Sequence, residues 1–344
     1  MKRVIIFIVV MGAIALSMLF CQSDERADGD GTDTDTDTDT DTDTDTDTDT
    51  TTDGYGVGCT EMDILFVIDD SGSMDCEQGD LIDAFPQFID VLSEYSNDNA
   101  ANISYRIGVT TTGKTADITF QVGTITVPAP QSGMNGDLVM PSSGTDPWIE
   151  GSASELANLF PALASVGTSG PSFEMPLQAL GLALAKDSAG AANEGFLREN
   201  ALFIAVVITD EDDCSTTSME ISGIPDDQCM SHEGDPVFDN YLLEPLQSYK
   251  DMLDNRFGGE DRYVFVTIAG AQACDSSSST CTGEDSSYSG AHEAIRLKDF
   301  MNNYIGVGAG NNGVFADICT TIMADALTEA MEKMEVICDD FILE

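Results

Sequence analysis

The chain is poor in base. Only 13 of its 344 residues are Lys or Arg, against 62 Asp or Glu, for a formal net charge of −49. Such a surface repels the phosphates of nucleic acid and of anionic membranes, so neither is expected as a partner. Histidine is scarcer still, with His232 and His292 alone. A His-Glu-x-x-His helix is absent, and a histidine-based nucleophilic triad has few ways to be assembled. The nine cysteines include no Cys-x-x-Cys pair, which argues against a zinc ribbon or a thioredoxin-like motif. Long apolar runs are missing too. Val4 to Phe20 is apolar apart from Gly12 and Ser17, short for a membrane-spanning helix of about 20 residues.

What the N-terminus does contain is ordered like a secretion signal. Lys2 and Arg3 precede the apolar stretch, then come Cys21 and the polar Gln22-Ser23-Asp24. This resembles a bacterial lipoprotein signal, in which the cysteine becomes the lipidated first residue. Phe20 departs from that pattern, since a small residue usually precedes the cysteine. The resemblance implies a signal over residues 1–21, a lipid anchor on Cys21 as the sole attachment to membrane, and an exported protein of the bacterial cell envelope or surface. Setting Cys21 aside leaves eight cysteines, an even number, as an oxidising compartment favours. From Thr32 to Asp49 the chain is a strict Thr-Asp repeat of nine units. It has no apolar residue with which to form a core, and its charges repel one another. Residues 22–56 are therefore expected to form a disordered spacer. Single carboxylates alternating with threonine do not make a calcium cage.

Beyond the spacer, apolar runs alternate with helical periodicity. Ile64–Ile68 and Leu202–Ile208 are continuously apolar, as strands covered on both faces are. Ile103–Thr112, Ile118–Val122, Tyr263–Ile268 and Val314–Ile318 read as further strands. Helical spacing runs from Leu81 to Leu92, where Pro86 is expected to kink the helix or mark its start. Further helices are expected over Ala153–Ala164, Glu174–Ala185, Phe238–Asn255, His292–Tyr304 and Met323–Ile337. Residues 124–151, rich in Gly, Pro and Ser, read as one long loop. Alternating strands and helices predict an α/β fold, a doubly wound and mostly parallel sheet flanked by helices, in one domain over residues 57–344.

The first apolar strand ends in Asp69-Asp70-Ser71-Gly72-Ser73. A carboxylate and two hydroxyls on one short loop are hard oxygen ligands, suited to Mg²⁺, with Mn²⁺ or Ca²⁺ as alternatives. Read without a metal, the same residues are a turn and a helix cap, with Ser73 or Asp75 capping. The second apolar strand ends in Thr209-Asp210. The two motifs, in this order and each closing a buried strand, resemble the metal-ion-dependent adhesion site of von Willebrand factor A-like domains. That resemblance covers everything beyond the leader. It implies that Ser71, Ser73 and a threonine on an intervening loop contact the cation, and that Asp69 and Asp210 hold coordinating waters. Thr168, in Gly167-Thr168-Ser169-Gly170, is the threonine it selects, with Ser169 and Ser172 as substitutes. An open position would then take a carboxylate from a partner protein. Glu211, Asp212 and Asp213 depart from the commoner Thr-Asp-Gly and read either as a solvated acidic loop or as a second cation site.

In a fold of this type, strands run towards the site and helices away from it. That implies the pairings Cys59–Cys338 and Cys76–Cys319, with Cys214–Cys229 and Cys274–Cys281 closing surface loops. A Cys76–Cys319 bond would hold the last helix to the metal loop. The expected function is a lipid-anchored, non-enzymatic adhesion module that captures a protein ligand through a divalent cation. The alternatives are an envelope scaffold with a structural or vestigial metal site and a metal-dependent hydrolase.

Overall fold

The computed structural model describes residues 59–98, 103–122, 124–171, 173–216, 220–224, 243–274, 290–306 and 312–339. The expected signal, the Thr-Asp repeat, Cys21, Ser172, Cys229 and Cys281 lie outside them. In chain order the first elements are β1 (Glu61–Ile68), α1 (Asp75–Asp98), β2 (Ser104–Thr111), β3 (Ala116–Val122), β4 (Ile125–Gln131) and β5 (Ile149–Gly151). There follow α2 (Ala153–Ala164), α3 (Pro176–Ala185), β6 (Leu202–Ile208), β7 (Glu220–Ile224) and α4 (Leu246–Phe257). The last are β8 (Tyr263–Ala269), α5 (Ile295–Phe300), β9 (Gly313–Asp317) and α6 (Met323–Asp339).

Six strands form the main sheet in the order β5-β2-β1-β6-β8-β9. All neighbours are parallel except β5, which runs antiparallel to β2. The fold is α/β, a mostly parallel sheet with helices on both faces. Alternation along the strands explains the continuous apolar runs. Ile64, Phe66 and Ile68 of β1 share one core with α1, α2 and α6. Leu65 and Val67 point the other way, into a second core with α3, α4 and α5. Both faces of β1 are thus buried, and from Ile64 to Ile68 no polar residue interrupts it. Phe66, Phe85 and Phe160 knit α1 and α2 to the sheet, with the rings of Phe85 and Phe160 stacked at 3.6 Å.

Pro86 does not mark the start of α1, which begins at Asp75. It sits on the exposed side of the helix, while Phe85, Phe88 and Ile89 are buried. Water can serve the carbonyl it leaves unbonded, and burial of the opposite face outweighs the cost of roughly 3 kcal/mol. The stretch 124–151 is not one loop. It contains β4 and β5, and β4 pairs with β3 in a small sheet of order β4-β3-β7. Pro128 and Pro130 lie on β4, an edge strand, where a missing N–H is tolerated. The helix expected from Phe238 begins, within the described residues, only at Leu246, and it ends at Gly258, whose φ of 89° closes it.

The Cys59–Cys338 bond is present, with Cα atoms 5.0 Å apart, and ties the start of β1 to the last turn of α6. Cys319, however, is joined to Cys274 and not to Cys76. This replaces both the Cys76–Cys319 and the Cys274–Cys281 pairings. The reason is strand order. Cys274 and Cys319 follow β8 and β9, which are neighbours, whereas β1, ahead of Cys76, is separated from β9 by β6 and β8. Asp317 fastens the two loops beside the bond, its Oδ1 accepting from the backbone N–H of Ala271 and of Cys319. Cys76 and Cys214 each also take part in a disulfide, with partners outside the described residues. No described helix is long and apolar enough to cross a membrane.

Candidate metal centre

The centre lies where a doubly wound sheet offers a ligand site, beyond the carboxyl ends of its central strands. β1 delivers Asp69, Ser71 and Ser73, and its neighbour β6 delivers Thr209 and Asp210. The backbone N–H of Asp69 bonds to the carbonyl of Ile208 at 3.0 Å, so the two strand ends stay locked as they leave the sheet. Asp69 is fully buried. Its Oδ1 accepts from the N–H of Ser71 at 2.8 Å and its Oδ2 from the Thr209 hydroxyl at 2.6 Å. The hydroxyls of Ser71 and Ser73 stand 3.1 Å apart. The Ser73 side chain lies beside Asp210 and favours its charged form. Asp69, Ser71, Ser73 and Asp210 therefore come together as one group.

Thr168 is brought to the edge of this group by its backbone. Gln78 Nε2 donates to the carbonyls of both Asp69 and Gly167, each at 2.9 Å, clamping the Thr168 loop to the Asp69 loop. The N–H of Gly170 donates to the carbonyl of Asp70 at 2.7 Å. A Cβ at Gly170 would lie 2.1 Å from Asp70 Cγ, so any other residue there would force the Asp70 carboxylate to move. Thr168 itself is half-buried and Ser169 is exposed.

Electrostatically the centre is a pool of buried acid. Burial pushes the Asp69 carboxyl up. Asp210 is pushed well up by burial and then by the charge of Asp69. The same two causes raise Asp70 to about 6 and Glu211 to about 8. Asp210 Oδ1 and Asp70 Oδ1 are buried without a hydrogen-bond partner. Among the described residues no Lys or Arg forms a salt bridge with Asp69, Asp70, Asp210 or Glu211. Carboxylates buried without a base are costly unless protonated or neutralised by a cation. No three His, Cys, Asp or Glu side chains cluster as a metal cage among the described residues. The donor set on offer is mixed instead, hydroxyl with carboxylate, which suits a hard divalent cation that keeps waters.

The acidic loop after β6 is not solvated as a whole. Asp212 and Asp213 are buried and structural. Asp212 caps α5, accepting from the N–H groups of Arg296 and Leu297 at 2.9 Å and 3.2 Å. Asp213 pairs with the buried Arg296 guanidinium at 3.3 Å. Both are thereby excluded from a second cation site.

Sequence reasoning passed over Asp70 and Glu174. Glu174 reads locally as the first residue of a helix, yet α3 starts at Pro176 and leaves Glu174 on the loop before it. The available signal was an acid flanked by Phe173 and Met175 directly ahead of a helix-starting proline.

No family model matches the chain. The curated proteins hold no match either. Among solved structures, the chain is similar to the pilus adhesin SpaC from Lactobacillus rhamnosus GG, at a TM-score of 0.41 and 12% identity, over 82% of this chain and 31% of that one. It is also similar to proximal thread matrix protein 1 from the mussel byssus, at a TM-score of 0.34 and 10% identity, over 81% of this chain and 49% of that one. A further structure of the byssus protein, with a zinc-occupied MIDAS motif, has a TM-score of 0.32 at 13% identity, over 80% of this chain and 47% of that one. The chain spans about a third of the adhesin and about half of the byssus protein. These likenesses are distant, and the functional reading rests on the residues of the site itself.

Proposed function

We propose that this domain is a cation-dependent adhesion module that captures a protein ligand through an acidic side chain. One observation carries the reading. The buried acids Asp69 and Asp210, with no salt bridge to a base among the described residues, flank two adjacent serine hydroxyls beyond the ends of β1 and β6. Ser71, Ser73 and Asp210 would hold the cation, with Asp69 adding its charge and Thr168 at the rim. Mg²⁺ is the favoured ion. A bound cation supplies an electrophilic position for an incoming carboxylate. The protein's own part is to fix the two hydroxyls, to bury the negative charge and to keep basic side chains away. On this reading the domain binds without catalysing. A lipid on Cys21 would anchor it in the cell envelope, and residues 22–56 would hold it clear of the membrane.

The test uses the full chain stripped with EDTA. Immobilised peptides ending in Asp or Glu should be retained in Mg²⁺ and released by EDTA. Asp69→Ala should abolish retention while the far-ultraviolet circular dichroism stays unchanged. Retention that persists in EDTA overturns the mechanism.

A further inference from the structure

Glu174 is fully buried, and the candidate metal centre described above gives it no role. Two backbone bonds fix its place. The N–H of Met175 donates to the carbonyl of Thr112 at 3.2 Å, just past the end of β2. The carbonyl of Glu174 accepts from the N–H of Cys214 at 2.8 Å, on the loop that follows β6. Since β2 and β6 lie on either side of β1, Glu174 is held over the end of β1, where Asp69 begins.

Its side chain is half satisfied. Oε2 accepts from the Thr112 hydroxyl, while Oε1 is buried with no hydrogen-bond partner. The charges that act on it are those of Asp69, Glu211 and Asp70, all of the same sign. Among the described residues no basic side chain forms a salt bridge with it. An ionised carboxylate in such a place costs several kcal/mol if nothing opposes it. Protonation does not complete the arrangement, because a proton on Oε1 has no acceptor and a proton on Oε2, donated to the Thr112 hydroxyl, leaves Oε1 unpartnered. A cation beside Oε1 would satisfy both the charge and the orphaned oxygen.

We propose that Glu174 is a direct carboxylate ligand of the divalent cation, in the position that the family resemblance gives to Thr168. This rests on the reading that the centre binds such a cation. The inner shell then carries two acids, Glu174 and Asp210, beside the two serine hydroxyls. Two carboxylates balance the charge of the ion and hold it tightly. They also make it a weaker electrophile than a neutral shell would, so an incoming carboxylate is bound less strongly than the cation itself. All-oxygen donors of this kind suit Mg²⁺, Mn²⁺ or Ca²⁺ better than softer ions.

The experiment titrates Mn²⁺ and Mg²⁺ alone into the EDTA-stripped full chain by calorimetry and follows the melting temperature with and without the ion. Glu174→Gln keeps the shape and an acceptor for Thr112 but removes the charge. It should melt higher than wild type in EDTA, bind Mn²⁺ about 10-fold or more weakly, and lose the rise in melting temperature that Mn²⁺ gives the wild type. Thr168→Val should bind Mn²⁺ within about threefold of wild type. The reverse pattern, wild-type affinity in Glu174→Gln and a loss in Thr168→Val, overturns the proposal and leaves the cation-dependent reading standing. If the wild-type chain binds neither ion, both fail. Should Glu174→Gln not fold, Glu174→Asp decides the matter, because a carboxylate drawn back by one methylene must bind Mn²⁺ more weakly, and unchanged affinity overturns the assignment.

Discussion

The Thr209 hydroxyl donates to Asp69 Oδ2 at 2.6 Å, joining the ends of two adjacent strands whose residues lie 140 positions apart in the chain. It also accepts from the N–H of Glu211 at 3.1 Å, so one side chain orders both acidic loops. Thr209 is fully buried. Thr209→Val keeps the volume but leaves a buried carboxylate oxygen short of a donor. The expected loss is about 1–3 kcal/mol of unfolding free energy, measured by urea titration in EDTA. A midpoint equal to wild type would show that this bond does not contribute.

The pH dependence of the cation-free protein should run opposite to that of most acid-denatured proteins. Burial holds Asp70 at about 6 and Glu211 at about 8, above their ordinary values of 3.8 and 4.5. Both pKa values are raised on folding, so the folded state keeps protons that the unfolded state releases. Their stabilising contribution is present below the unfolded values and is lost as pH rises through the folded ones. Thermal melts in EDTA should therefore fall between about pH 5 and about pH 8. Saturating Mg²⁺ should restore much of the loss at the upper end and little at the lower. A melting temperature that rises across this window in EDTA contradicts the electrostatic picture.

The Cys274–Cys319 bond closes a span of 45 residues. Replacing both by Ser should lower the unfolding free energy by up to about 4 kcal/mol on the chain-entropy argument. Peptide mapping without reductant should recover the Cys274 peptide joined to that of Cys319. Recovery of Cys76 joined to Cys319 would contradict the structure.

The central strands were legible because burial on both faces leaves a signature in the residues themselves, as in Ile64–Ile68 and Leu202–Ile208. The oxygen donors at their ends were legible for the same reason, since a strand that stops abruptly at Asp69 or Asp210 announces its loop. Other features depend on what comes to lie beside what. Cys319 finds Cys274 because β8 and β9 are neighbours, and strand order is not written in local spacing. Glu174 is hidden because its surroundings come from Thr112 and Cys214, on segments far from it in the chain. β4 escaped notice because Pro128 and Pro130, which look like loop residues, are acceptable on an edge strand.

The place of β1 in the sheet has a mechanical consequence. Cys59 stands just before its first residue and Asp69 just after its last, so a pull between the start of the domain and its metal loop runs along this one strand. β1 pairs in parallel with β2 over eight residue positions and with β6 over seven. A force in that direction loads both ladders in shear, with every bond sharing the tension at once, and none can open ahead of the rest as in a zipper. The Cys59–Cys338 bond adds a covalent strut from the base of the same strand to α6. On the proposed reading, the direction in which both β1 ladders resist shear points at the site where a partner would pull.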